Sequence, residues 1–146
     1  MSERPFSKTP VSMWRDRRFR PLDSDGRVLS IYFRSSPHHN MCGCYRVPDA
    51  YAAADLVWPI DLYIAVRARL EEAGLILFDE DTDEVYVVGW FEVNAPKGPK
   101  QDTGCVRQIE QIESDRLRAR VTADFKAART EEQDPKVIAL NRRSLS

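Results

Sequence analysis

"IDLYIAVRARLEEAG", residues 60–74, runs directly into "LILFDEDTDEVYVVGWF", residues 75–91, and the reading of this stretch decides the fold. At about 100° per residue, the first part sets Tyr63, Val66, Leu70 and Ala73 on one stripe, the pattern of a helix with a buried face. Pro59 suits its first turn and Gly74 its stop. The second part holds two apolar runs, "LILF" and "VYVVGWF", on either side of the acidic string "DEDTDE". Their β-branched and aromatic content, with a turn-forming interruption, predicts a β-hairpin.

Working upstream, Asp23 is a good N-cap for a helix over 24–34, in which Val28, Leu29, Ile31, Tyr32 and Phe33 recur at helical spacing until Ser35-Ser36-Pro37 stops it. "MCGCYRVP" is short, β-compatible and closed by proline, as an edge strand is. "DAYAAADLV" is a second helix, opened by Pro48 or Asp49 and ended by Trp58-Pro59. Three helices followed by a hairpin predict an α+β fold, a winged helix over residues 11–101. Residues 1–10, polar and with two prolines, are expected as a flexible arm. Downstream, Thr103 can cap a helix carrying Val106, Ile109 and Ile112, and Ser114 another carrying Leu117, Val121 and Phe125. These C-terminal helices, 102–129, would close the core or pair protomers in a homodimer. Residues 130–146 read as a charged tail with one short helical turn at "KVIAL".

The 146 residues suffice for one continuous core, so a single domain is the default. With 22 Lys and Arg against 23 Asp and Glu, the net charge of −1 excludes a globally basic nucleic-acid binder; any such surface needs local segregation of charge. Three cysteines, an odd set, and an N-terminus without the charged-then-apolar layout of a secretory signal point to a reducing cytoplasm. No apolar run approaches the roughly 20 residues that cross a bilayer.

Positive charge is densest in "VSMWRDRRFR", where Trp14 and Phe19 are expected as anchors with Arg15, Arg17, Arg18 and Arg20 outside. With Arg46, Lys97 and Lys100, these are the candidates for phosphate contact. Arg67 and Arg69 flank the outer face of the third helix and complete the set. That face otherwise carries Asp61, Ile64, Ala65, Ala68, Glu71 and Glu72, whereas base edges are read mostly by Arg, Lys, Asn and Gln. Ile64, Ala65 and Ala68, with Asp81 and Asp83 of the hairpin turn, therefore form an alternative surface for a protein partner. The turn acids Asp79, Glu80, Asp81, Asp83 and Glu84 would repel phosphate and are expected to point away from DNA. Their spacing lacks the glycine and distal glutamate of a calcium loop.

His38, His39, Cys42 and Cys44 are zinc-ligand types, but a Cys-x-Cys inside a strand lacks the loop that wraps a tetrahedral ion, so no metal is expected and the thiols are read as small buried apolar groups. No nucleophile with a base, phosphate loop or carboxylate pair forms a recognisable pattern; the expectation is a protein without enzymatic activity or cofactor. Trp58, Trp90 and Phe91 are expected to pack the third helix and the hairpin onto the first helix.

"LDSDGRVLSIYFRSSPHHNMCGCYRVP", "RLEEAGLILFDEDTDEVYVVGWF" and "NAPKGPKQ" together resemble the N-terminal winged-helix domain of phage and prophage replication-initiation, or replisome organiser, proteins. The likeness spans roughly residues 14–125 and is most specific in "SPHHNMCGCYRVP" and in "EEAGLI" joined to the acidic hairpin. It implies a winged helix, duplex DNA as partner in replication initiation or its control, and a phage context. The alternative is a phage factor that engages a host replication or defence protein without touching DNA.

Overall fold

In the computed structural model, which describes residues 4–133, the chain forms an α+β domain with a three-stranded antiparallel sheet. The helix α1, Ser24–Ser35, begins where the Asp23 carboxylate accepts from the Gly26 N–H (2.9 Å). A short strand β1, Cys44–Arg46, leads through Pro48 into α2, Asp49–Leu56, and then α3, Ile60–Glu72. Val57, between α2 and α3, takes a left-handed backbone (φ 58°) while 87% exposed, an uncommon state for a β-branched residue. Gly74 (φ 80°) turns the chain into the hairpin β2, Ile76–Asp79, and β3, Glu84–Val87. The sheet order is β1-β3-β2, so β1 is an edge strand as its proline suggested. Tyr63, Val66 and Leu70 are fully buried, joined by Leu29 and Phe33 of α1 and by Ile76, Phe78 and Val85 of the hairpin.

The hairpin is shorter than its apolar run. Gly89 (φ 84°) ends it, and Trp90–Val93 forms the four-residue helix α4 in place of more strand. Phe91 is buried, and so is Trp90. Its ring lies against Gly43 beside β1, and its Nε1–H donates to the Met41 carbonyl (2.9 Å). Phe91 instead meets Phe125 edge-on at 5.6 Å.

Two long helices follow, α5, Gly98–Glu110, and α6, Asp115–Gln133. The α5 helix starts five residues before Thr103, because Pro99 supplies a preset φ in its first turn; the Thr103 hydroxyl bonds back to the Pro99 carbonyl inside the helix instead of capping it. The boundary expected at residue 101 thus falls within a helix. Cys105 and Ile109 form its buried side, Ile112 is buried in the turn that follows, and Val106 is 40% exposed. Ser114 does cap α6, its Oγ accepting from the Leu117 N–H, with Leu117 and Val121 buried below. Residues 130–133, expected in the tail, continue α6; "KVIAL" lies outside the described residues. Among the described residues, no helix is long and apolar enough to cross a membrane.

The acidic hairpin is not uniformly solvated. Glu84 is only 6% exposed, and its carboxylate accepts from the Glu113 N–H (3.1 Å) and the Ser114 N–H (2.7 Å), satisfying donors at the α5–α6 turn that would otherwise be unpaired. Asp79 accepts from the Ser114 hydroxyl, and Arg116 donates to the Phe78 carbonyl (2.8 Å). The hairpin is thereby fastened to the start of α6, leaving Glu80 and Asp81 exposed.

Gly43 is the tightest point of this packing. A Cβ there would sit 2.3 Å from the Trp90 ring, on a backbone with φ 68°. Gly43→Ala should cost about 3 kcal/mol or more, through both overpacking and left-handed strain. Urea unfolding of the variant measures this directly; a loss below about 1 kcal/mol would contradict the packing described.

Candidate nucleic-acid interface

Residues 4–20 run as a strap along one side of the domain. The Met13 and Phe19 side chains plug into it, 6% and 0% exposed, around a 3-10 turn at Val11–Arg15. Trp14, expected as an anchor, is 56% exposed and only leans edge-on against Phe19 at 5.3 Å. The reason is the tight turn, which aims Met13 inward and its neighbour outward. Polar contacts tie the rest down: Arg4 donates to the Asn40 carbonyl (2.9 Å), the Ser7 hydroxyl to the Arg34 carbonyl, and Lys8 exchanges two hydrogen bonds with the Asn94 amide (2.9 Å each). Residues 4–10, expected as a flexible arm, are placed by these contacts.

Asp16 organises the second half of the strap. Its carboxylate accepts from the Arg18 backbone N–H (2.8 Å) and from the Arg18 guanidinium (3.0 and 3.1 Å), and Arg18 reaches on to the Gly74 carbonyl (3.3 Å). The Arg18 contact holds the Asp16 pKa down at about 2. Arg18 is therefore a clamp between strap and α3–β2 turn, and its charge is matched. Arg27 of α1 donates to the Arg20 and Leu22 carbonyls (2.9 and 3.1 Å) and covers the Phe19 ring. Arg15, Arg17 and Arg20 are exposed and form no salt bridge among the described residues.

The other sequence candidates separate. Arg67, expected at the flank of α3, is 5% exposed: its guanidinium stacks on Phe78 (3.7 Å), lies over Tyr63 (5.2 Å) and pairs with Asp49. Burial opposes its charge, contacts with Tyr63 and Asp49 favour it, and the net pKa is raised. It is out of reach of phosphate. The face angle explains the difference, because Arg67 follows Val66 and lies next to the Tyr63–Leu70 stripe, not beyond it. Arg69 is exposed but held by Asp23 (2.8 Å). Arg46 is exposed at the end of β1, in register with Glu84. Lys97 and Lys100 are exposed at the start of α5. The outer face of α3 shows Asp61, Ile64, Ala65, Ala68, Glu71 and Glu72 to solvent; of the hairpin pair, Asp81 is exposed and Asp83 half-buried.

Arg4 and Lys8 were invisible as site residues in the sequence, since nothing in "MSERPFSKTP" signals that its cations are tied to the domain. Cys42 and Cys44 are buried, as read, and burial pushes the Cys42 thiol up to about 11. His38 instead contacts Asp55 (3.3 Å) and stacks on Tyr51. Among the described residues no three His, Cys, Asp or Glu side chains group as metal ligands would. Comparison with protein-family models, with curated proteins and with solved structures finds no match.

Two outcomes test this arrangement. The depressed Asp16 pKa means its contribution to stability is complete above the unfolded value of 3.8 and is lost as pH falls toward about 2. Asp16→Asn should remove that part of the acid sensitivity, so thermal melts of variant and parent converge at the acid end. Arg67→Ala should cost about 3 kcal/mol in urea unfolding, because it strands the Asp49 charge and empties the stack on Phe78.

Proposed function

We propose that the chain is a winged-helix protein without enzymatic activity that holds duplex DNA by its phosphate backbone, in replication initiation or its regulation. Charge segregation is the observation that carries this reading. Residues 4–20 hold six cations, Arg4, Lys8, Arg15, Arg17, Arg18 and Arg20, against the single acid Asp16, in a protein whose net charge is −1. Three of those arginines are exposed with no ion-pair partner among the described residues, so their charge is available to phosphate oxygens. Three helices followed by a hairpin, and the sequence resemblance to replisome organiser domains, support the winged-helix assignment.

In this reading α3 does not read bases. Its outer face offers acids, alanines and isoleucine, and its one exposed arginine is engaged by Asp23. Affinity then comes from backbone contacts, and sequence preference is weak. A second reading is favoured by a different observation: Val57, Ile60 and Ile64 are 87%, 45% and 38% exposed along the α2–α3 turn and outer α3, with left-handed strain stored at Val57. That surface suits a protein partner, such as a host replication or defence factor, and both surfaces can operate in one molecule.

Fluorescence anisotropy with a random duplex bearing 5′-hydroxyl ends decides the first reading. Binding should weaken with salt, and Arg15→Ala with Arg17→Ala and Arg20→Ala should reduce the log-log salt slope by about 0.9 for each phosphate contact removed. Ile64→Asp should leave that binding intact. Absence of binding at low salt overturns the proposal.

A further inference from the structure

Where the strap passes α4 and the start of α5 it leaves an open cleft of about 320 Å³, lined among others by Arg4, Phe6, Lys8, Asn94, Lys97 and Gln101. That volume is at the lower end of small-molecule sites, which run from about 300 Å³ upward. Its lining includes three cations and no carboxylate. Arg4 is already used, donating to the Asn40 carbonyl and lying over the Trp90 ring at 5.8 Å. Lys8 and Lys97 are not. Lys8 and Lys97 line the same cleft, and the Lys97 amine, by side-chain contact first and by the repulsion of its charge second, lowers the Lys8 pKa.

Two cations that line one cleft are an electrostatic cost that a bound anion converts into an attraction. The charge that balances them is two, and a phosphomonoester carries about −1.5 to −2 at neutral pH where an internal phosphodiester carries one. The scaffold around the pair is held. Asn94 fixes the Lys8 backbone through two hydrogen bonds, and the Gln101 side chain accepts from the Lys97 N–H (2.7 Å). Lys97 is also the N-cap residue of α5, which fixes its place at the cleft edge. Phe6 lines the cleft with 71% of its surface exposed, an unusual position for a large apolar ring and one on which a base can stack.

We infer that this cleft binds a nucleotide through its terminal phosphomonoester, with the phosphate between Lys8 and Lys97 and the base against Phe6. The ligand is either a free mononucleotide or the 5′-phosphorylated end of a strand; both present the same chemistry. The inference goes beyond duplex binding by the strap arginines and uses different side chains.

Isothermal titration of the full chain with adenosine 5′-monophosphate, adenosine and inorganic phosphate tests it. The nucleotide should bind at least about tenfold more tightly than adenosine, and Lys8→Gln with Lys97→Gln should erase that difference. Phe6→Ala should weaken the nucleotide and leave inorganic phosphate unchanged, whereas Lys100→Gln, outside the lining, should alter neither. Short single strands with and without a 5′-phosphate distinguish the sources: tighter binding of the phosphorylated strand than of the mononucleotide assigns the site to strand ends, and the reverse assigns it to free nucleotide. Arg15→Ala with Arg17→Ala and Arg20→Ala should leave nucleotide binding unchanged, so failure of the strap to hold duplex would not affect this result. Equal binding of adenosine and its monophosphate, or unchanged nucleotide binding by the double lysine variant, overturns the inference.

Discussion

A guanidinium is buried where α3, the hairpin and α2 meet, and much of the molecule is arranged around it. Arg67 lies flat on Phe78 of β2, over Tyr63 of its own helix, and pairs with Asp49 at the start of α2. A charge placed there needs its partner and its aromatic surfaces together, because desolvating it alone would cost several kcal/mol, on the order expected for any buried ion. Satisfying it therefore fixes the orientation of the hairpin against α3 and the angle at which α2 enters. It also removes a cation from the surface that the helical pattern seemed to provide.

That removal reorganises where positive charge can act. With Arg67 inside, Arg69 held by Asp23 and Arg18 clamped by Asp16, the exposed arginines of the N-terminal half without an ion pair among the described residues are Arg46 and those of the strap. The strap itself depends on packing: Met13 and Phe19 bury its underside, and Arg27 covers Phe19 and holds the Arg20 carbonyl. A basic segment tied in this way loses little conformational entropy when it meets an anion, which is the advantage of a fixed surface over a free tail. The proposed duplex contact and the proposed nucleotide cleft lie on two stretches of this one segment.

The hairpin has a second attachment, to the α5–α6 turn and α6. Glu84 and Asp79 are acids by composition but act as acceptors for the α5–α6 turn, and Arg116 returns a hydrogen bond to the Phe78 carbonyl. Tyr86 adds a bond from its hydroxyl to Asp124 of α6 (2.7 Å). A hairpin fastened beside its turn and along one strand to a long helix is a structural element of the core, and at its tip Glu80 and Asp81 stay exposed.

The order of elements was legible in the sequence because it follows from local rules. Period 3.6 in residues 60–74, the Asp23 and Ser114 caps, the prolines before α2 and α3, and Gly74 after α3 each act within a few residues of themselves. The stripe of Tyr63, Val66 and Leu70 pointed inward for the same reason. What tertiary structure decided was the fate of groups whose partners are distant in the chain. Arg67 and Glu84 look like surface charges until Asp49, Phe78 and the Ser114 N–H are brought to them; Trp14 and Met13 exchange places because of one tight turn; and Trp90 finds Gly43, 47 positions away by number, where only a missing side chain leaves room. Helix and strand are written in spacing, which the sequence contains, but burial of a charge is a property of who meets whom in three dimensions, and no local pattern records that.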